Sequence, residues 1–121
     1  MNRTYLFPFF KEGKHIISPT RPEKASIDEK DSQTFNNQGF ESLTLEVKGA
    51  ASANVAVYAY VDSESEPVWT KLSGRNLSDG MAISDISENG LYLYMIAGVT
   101  HIKVSLDAAG TSETITGSFF G

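Results

Sequence analysis

The sequence predicts an all-β chain: a single antiparallel β-sandwich, of the jelly-roll or immunoglobulin-like kind, with about seven or eight strands and an extended N-terminal arm. Three observations predict it. From Phe35 onward apolar and polar residues alternate with a period of two, the mark of half-buried strands. Turn signals such as Asp79-Gly80 and Asn89-Gly90 recur at short intervals. No helical periodicity longer than two turns occurs beyond Phe35.

The alternation places the strands one by one. Leu43, Leu45 and Val47 alternate with Thr44, Glu46 and Lys48, and Val55, Val57, Ala59 and Val61 alternate with Ala56, Tyr58, Tyr60 and Asp62. Leu91, Leu93 and Met95 alternate with Tyr92, Tyr94 and Ile96, and Ile102, Val104 and Leu106 with His101, Lys103 and Ser105. Shorter segments at Val68–Leu72, Met81–Ile86 and Glu113–Phe119 bring the number to seven. The small residues of 49–54, the polar loop Ser63–Pro67, Ala97-Gly98 and Ala108-Ala109-Gly110 separate them. Ser73-Gly74 and Ser78-Asp79-Gly80 read as turns.

Residues 1–34 read differently, as an arm preceding the sandwich of 35–121. Three of the four prolines (Pro8, Pro19 and Pro22) fall here, and Ser18-Pro19-Thr20-Arg21-Pro22 favours extended backbone. A short helix over Pro22–Lys30 is compatible with the residues. The run Tyr5-Leu6-Phe7-Pro8-Phe9-Phe10 holds four aromatic rings, too much apolar area for a free tail. It docks on its own sandwich or on a neighbour. On the second alternative Tyr5, Phe7, Phe9 and Phe10, with the C-terminal Phe119 and Phe120, are assembly contacts. Removing residues 1–34 is then expected to leave a folded sandwich that no longer assembles.

Composition narrows the functions. The 121 residues suit one domain, and a chain of this size buries enough surface to fold without staples. With no cysteine there is neither a disulfide nor a thiolate metal site. The net charge of −5 disfavours nucleic-acid backbones. That charge lies in the body, because residues 1–34 carry six basic and five acidic side chains while 35–121 carry four and ten. No stretch approaches the ~20 apolar residues that span a bilayer, so no membrane partner is expected. The Tyr5–Phe10 run is interrupted by Pro8 and lacks a cleavage site, so export by the general secretory route is not expected either.

Chemistry is sparsely represented, and the chain is expected not to be an enzyme. His15 and His101 show no metal-ligand spacing, and His101 is expected to be exposed on the polar side of its strand. No nucleophile elbow, phosphate-binding loop or dinucleotide fingerprint occurs. Asp62, Glu64 and Glu66 form a solvated acidic loop without the glycine that shapes a calcium loop. No catalytic residue, metal or cofactor is assigned. Tyr58, Tyr60, Trp69, Tyr92 and Tyr94 give two readings: a ligand-stacking platform for a carbohydrate such as a host glycan, or rings that pack against the second sheet, the arm or a sister subunit.

Several segments carry a resemblance. Asn37-Gln38-Gly39-Phe40 opens before Leu43-Thr44-Leu45, followed by Val68-Trp69-Thr70-Lys71-Leu72 and Ile86-Ser87-Glu88-Asn89-Gly90-Leu91-Tyr92. Ala97-Gly98-Val99-Thr100-His101-Ile102-Lys103-Val104 and Thr114-Ile115-Thr116-Gly117 complete the set. Together they resemble a β-sandwich type recurrent in structural proteins of tailed bacteriophages, over about 85 of the 121 residues. Lys103 stands where such proteins often have arginine, and the arm lies outside the shared pattern. The resemblance implies a virion component made in the host cytoplasm: a capsid decoration protein, a head, neck or tail accessory protein, or part of a host-adsorption apparatus. Its partners would be other virion proteins of the capsid or tail and further copies of itself, a homo-oligomer.

Overall fold

The structure, a computed structural model, describes residues 3–15, 32, 34–49, 54–62, 68–106 and 112–121. These residues form eleven strands and no helix: β1 (Thr4–Lys11), β2 (Lys14–His15), β3 (Phe35–Asn36), β4 (Ser42–Lys48), β5 (Val55–Tyr60), β6 (Thr70–Lys71), β7 (Gly74–Asn76), β8 (Ala82–Ile83), β9 (Gly90–Met95), β10 (His101–Leu106) and β11 (Thr114–Phe120). A larger sheet runs β2-β1-β11-β4-β9-β7-β8 and a smaller one β3-β10-β5-β6. Every pairing between neighbouring strands is antiparallel.

Both sheets turn one face to a common core. Leu43, Leu45, Val47, Tyr92, Tyr94, Ile115 and Phe119 enter it from the larger sheet, and Val55, Val57, Ala59, Ile102, Val104 and Leu106 from the smaller. The seven segments expected from alternation fall on β4, β5, β6, β8, β9, β10 and β11, with Ile86 bridging to Val55 beyond β8. The additional strands are β1, β2, β3 and β7.

The first part of the expected arm is a strand of the body. β1 lies between β2 and β11, and Thr4 to Phe10 pair with Phe120 to Ile115. The register shifts between Pro8 and Phe10, making Phe9 the extra residue of a bulge. Without a bulge, Phe9 and Phe10 would point to opposite sides. With it, Phe7, Phe9 and Phe10 are all buried in the core, while Pro8 points outward. Pro8 is tolerated because β2 pairs only with Phe10 and Lys11, leaving that side of Pro8 without a ladder partner among the described residues. Glu12 and Gly13 both have positive φ (51° and 79°) and close the β1–β2 hairpin, as a two-residue turn of this hand requires.

Two glycines hold space for rings. A Cβ on Gly117 would stand 2.6 Å from the Phe9 ring and 2.8 Å from Leu43, so Gly117 lets the bulged Phe9 lie across β11. Gly74 does the same for Tyr94, whose ring would be 2.6 Å from an added Cβ. Ser73-Gly74, expected as a turn, is therefore the entry to β7 instead. Asp79-Gly80 does form the expected turn, between β7 and β8, with Gly80 at φ 75° and its amide donating to the Asn76 carbonyl at 2.8 Å.

Asn37 ties two of the connections together. Its Nδ2 donates to the carbonyls of Phe40, Ile96 and Val99 at 3.2, 3.3 and 2.8 Å, and its Oδ1 accepts from the Phe40 amide at 3.1 Å. The segments 37–40 and 96–99, far apart in the chain, are thus one structural unit. The helix considered over Pro22–Lys30 lies outside the described residues.

Because β1 carries three buried phenylalanines, the sandwich is not expected to fold without it. Deleting residues 1–13 should abolish the cooperative urea transition. Phe9→Ala should retain it but cost about 3–5 kcal/mol, the usual loss for a large aromatic taken from a core. A deletion that melts like the full chain would refute the assignment of β1 to the core.

Candidate functional site

Alternation leaves each sheet a second face, and the two outer faces differ in chemistry. On the larger sheet the outward positions are set by register. Thr4, Phe120, Ser42 and Met95 form one row, Leu6, Ser118, Thr44 and Leu93 the next, and Pro8, Thr116, Glu46 and Leu91 a third. Leu6 (64% exposed), Met95 (69%), Leu91 (46%) and Phe120 (46%) are large apolar side chains in solvent. The charge in these rows is Glu46, which lies 3.6 Å from Lys48.

The smaller sheet presents rings and ammonium groups. His101 faces Tyr60 and Lys103 faces Tyr58 across the β10–β5 ladder. Tyr60 and His101 stack at 4.5 Å and 16°, and Trp69 meets Tyr60 edge-on at 4.6 Å. The Lys103 ammonium lies 5.0 Å from the Trp69 ring centre and 5.8 Å from that of Tyr58. Lys71 lies 6.0 Å from Tyr58 and bonds Asp85 at 2.8 Å. A recess of about 150 Å³ opens among Asn54, Ala56, Tyr58, Lys71, Asp85 and Ser105. This face combines ring surfaces with hydroxyl, amide and charged groups, which suits a polar, hydroxyl-rich ligand.

His101 corrects an expectation. It was assigned to the exposed, polar side of its strand, and it does point away from the core, but it is only 2% exposed. The flat stack on Tyr60 covers its ring on one side, and its Nδ1 lies 3.0 Å from Thr100 Oγ1.

The five aromatics considered for stacking divide between two places. Tyr58, Tyr60 and Trp69 share the outer face of the smaller sheet, with Tyr58 and Trp69 half-buried and Tyr60 buried at 7% exposure, so Tyr58 and Trp69 are the rings of this face that a ligand can reach. Tyr92 and Tyr94 instead point into the core, each 1% exposed, where a ligand cannot stack on them. On β9 the rings are the inward set and Leu91 and Met95 the outward one. Of the six residues considered for assembly, Phe7, Phe9, Phe10 and Phe119 lie in the core, and Tyr5 and Phe120 are 41% and 46% exposed.

Tyr5 lines a third feature, a groove of about 330 Å³ with Arg3, Thr4, Phe35, Gln38 and Phe40. The Arg3 guanidinium lies 4.3 Å over the Phe40 ring and donates to the Gln38 carbonyl at 2.7 Å. Sequence alone does not mark Arg3 and the Asn37–Phe40 turn as site residues, because their meeting depends on β1 returning beside that turn. Among the described residues, no three His, Cys, Asp or Glu side chains come together to hold a metal ion. Asp62 donates its amide to Thr100 Oγ1, while Glu64 and Glu66 lie outside the described residues.

No known protein family matches the sequence, and no curated protein is significantly similar to it. Solved structures do share its fold. The SPBc2 prophage-derived protein YomS aligns over 100% of this chain and 96% of its own, with a TM-score of 0.70 and 22% identity. The PBSX exported protein XepA aligns over 99% of this chain with a TM-score of 0.73 and 17% identity, and this chain spans 38% of XepA's length. At these identities the likeness is one of fold: an all-β, antiparallel architecture also used by a prophage-derived protein.

Tyr94 provides a test of how tightly the core is closed. Its hydroxyl is buried without a hydrogen-bond partner among the described residues, and burial, followed by the charges of Tyr92 and Asp85, pushes its pKa far above the usual 10.0. Tyr92, whose hydroxyl donates to the Glu88 carbonyl at 2.8 Å, is raised in the same direction, again mainly by burial. Above pH 10 the unfolded chain releases phenol protons that the folded chain keeps, so stability falls as pH rises. Tyr94→Phe should be neutral or stabilising at pH 7 and should make the fall between pH 10 and 11.5 shallower, measured by urea unfolding. A clear destabilisation at pH 7 would mean that the hydroxyl is satisfied.

Proposed function

We propose that this chain is a non-enzymatic structural protein of a phage or prophage particle, a capsid decoration or head or tail accessory protein. In this reading it attaches to its neighbours, or to further copies of itself, through its N-terminal region. The observation that carries the reading is the fold shared end to end with a prophage-derived protein of nearly the same length. The broad apolar outer face of the larger sheet supports it, since soluble proteins rarely leave such faces uncovered without a partner. The N-terminal contribution falls on Arg3, Tyr5 and Leu6, which β1 holds at the surface, and on residues 16–31, outside the described set.

Induction of phage particles from a genome encoding the chain, followed by density-gradient purification and quantitative mass spectrometry, tests the reading. The chain should band with the particles at a fixed ratio to the major capsid or tail protein. Its recovery only in the soluble lysate would overturn a particle role.

A second reading, a carbohydrate-binding module, is favoured by the meeting of Tyr58, Tyr60 and Trp69 on one face beside a polar recess. Trp69 is the single tryptophan, so its emission reports that face alone. Binding of a glycan there should shift or quench it in a saturable way, and Tyr58→Ala should weaken the response at least tenfold. An unchanged emission across a panel of cell-wall and surface glycans would remove this reading.

A further inference from the structure

We infer that the outer face of the larger sheet is a self-association surface, packed face to face against the same sheet of a second copy. The inference deepens the assembly part of the reading above and rests on it. The shape of the face is the first argument. Leu91 and Met95 make an apolar ridge along β9, and Leu6 with Phe120 makes another at the β1–β11 side. Between them, β4 and β11 present the small hydroxyl side chains Ser42, Thr44, Thr116 and Ser118, with Glu46 at one end. The face is therefore a trough between two ridges. A second copy related by a two-fold axis can seat its β9 ridge in that trough while offering its own trough in return, the self-complementarity an isologous contact needs.

Charge is the second argument. The chain carries −5 overall, so most surfaces of two copies repel one another. From β1 to β9 the three central rows carry one charged group, Glu46, already beside Lys48, and Arg75 joins the middle row from β7 opposite Leu93, so the two signs nearly balance on this face. The smaller sheet carries Lys71, Lys103 and Asp85 on its outer side and would bury charge if it were the interface.

The area is sufficient. Seven-residue strands are about 24 Å long and the four strands from β1 to β9 about 20 Å wide. Two such faces in contact remove on the order of 1,000 Å² from water, the lower bound for a specific interface. Assembly by strand addition is the weaker route, because the edge strands β2, β3, β6 and β8 have only two residues each, and on the side of β1 that β2 leaves unpaired among the described residues Pro8 interrupts the row of amide donors.

Sedimentation equilibrium or light scattering of the full-length chain at micromolar concentrations tests this. The wild type should show about twice the single-chain mass of 13.2 kDa, and Met95→Glu and Leu91→Glu should each return it to that mass. Both side chains are solvent-facing in the single chain, so thermal melts of the diluted variants should match the diluted wild type. Lys103→Glu, on the opposite side of the molecule, should leave the mass unchanged. A monomeric wild type, or an oligomer of any size that survives both β9 substitutions, overturns the inference. Particle association is read separately, so a monomer that still bands with particles would sink this interface and leave the particle role standing.

Discussion

The fold depends on a cluster of stacked aromatic rings that fastens the N-terminal strand to both sheets. Phe35 of the smaller sheet and Phe119 of the larger lie face to face at 3.8 Å and 13°, the closest ring contact among the described residues. Phe7 meets Phe35 edge-on at 5.2 Å and Phe9 at 4.7 Å, while Phe40 and Tyr5 close the outer end. Such pairs add about 0.5–1.5 kcal/mol each beyond the area they bury. The larger effect is geometric. One cluster fixes how far apart the sheets stand, where β1 returns, and where the Asn37–Phe40 turn sits beneath Arg3.

This arrangement divides the molecule by chemistry. Rings from the N-terminal run fill the core, so half of that run is consumed by folding, and Tyr5, Leu6 and Pro8 remain on the surface. What then faces outward is an aliphatic and hydroxyl surface on one sheet and a ring-and-ammonium surface on the other. The first suits contact with protein, where apolar area and the absence of charge count. The second suits a polar ligand, where ring faces and hydrogen-bonding groups count. The two faces lie on opposite sides of the core, so contact at one leaves the other open.

Legibility in the sequence followed the range of the interactions. Alternation marked β4, β5, β9, β10 and β11 because a pleat imposes its period on any strand with one buried face. It left open which set points inward. On β9 the obvious choice, Leu91, Leu93 and Met95, turned out to be the outer set, and Tyr92 and Tyr94 the core. The two rings lie against glycines, Tyr94 against Gly74 and Tyr92 against Gly90. His101 was misplaced for a related reason: its strand position faces outward, but stacking on Tyr60 buries it. β7 was missed because Gly74 looks like a turn residue, whereas it is small to admit a ring 20 residues further along.

By itself the sequence determined the strand class, the positions of the principal strands and turns, and the need to bury the aromatic N-terminal run, since these follow from local periodicity, backbone preference and the cost of exposing rings. Only the tertiary structure decided where that run is buried, which tyrosines are core and which are surface, and which outer face is apolar. Those outcomes depend on register and on one extra residue at Phe9. A shift of one residue exchanges the two faces of a strand, and nothing local specifies it.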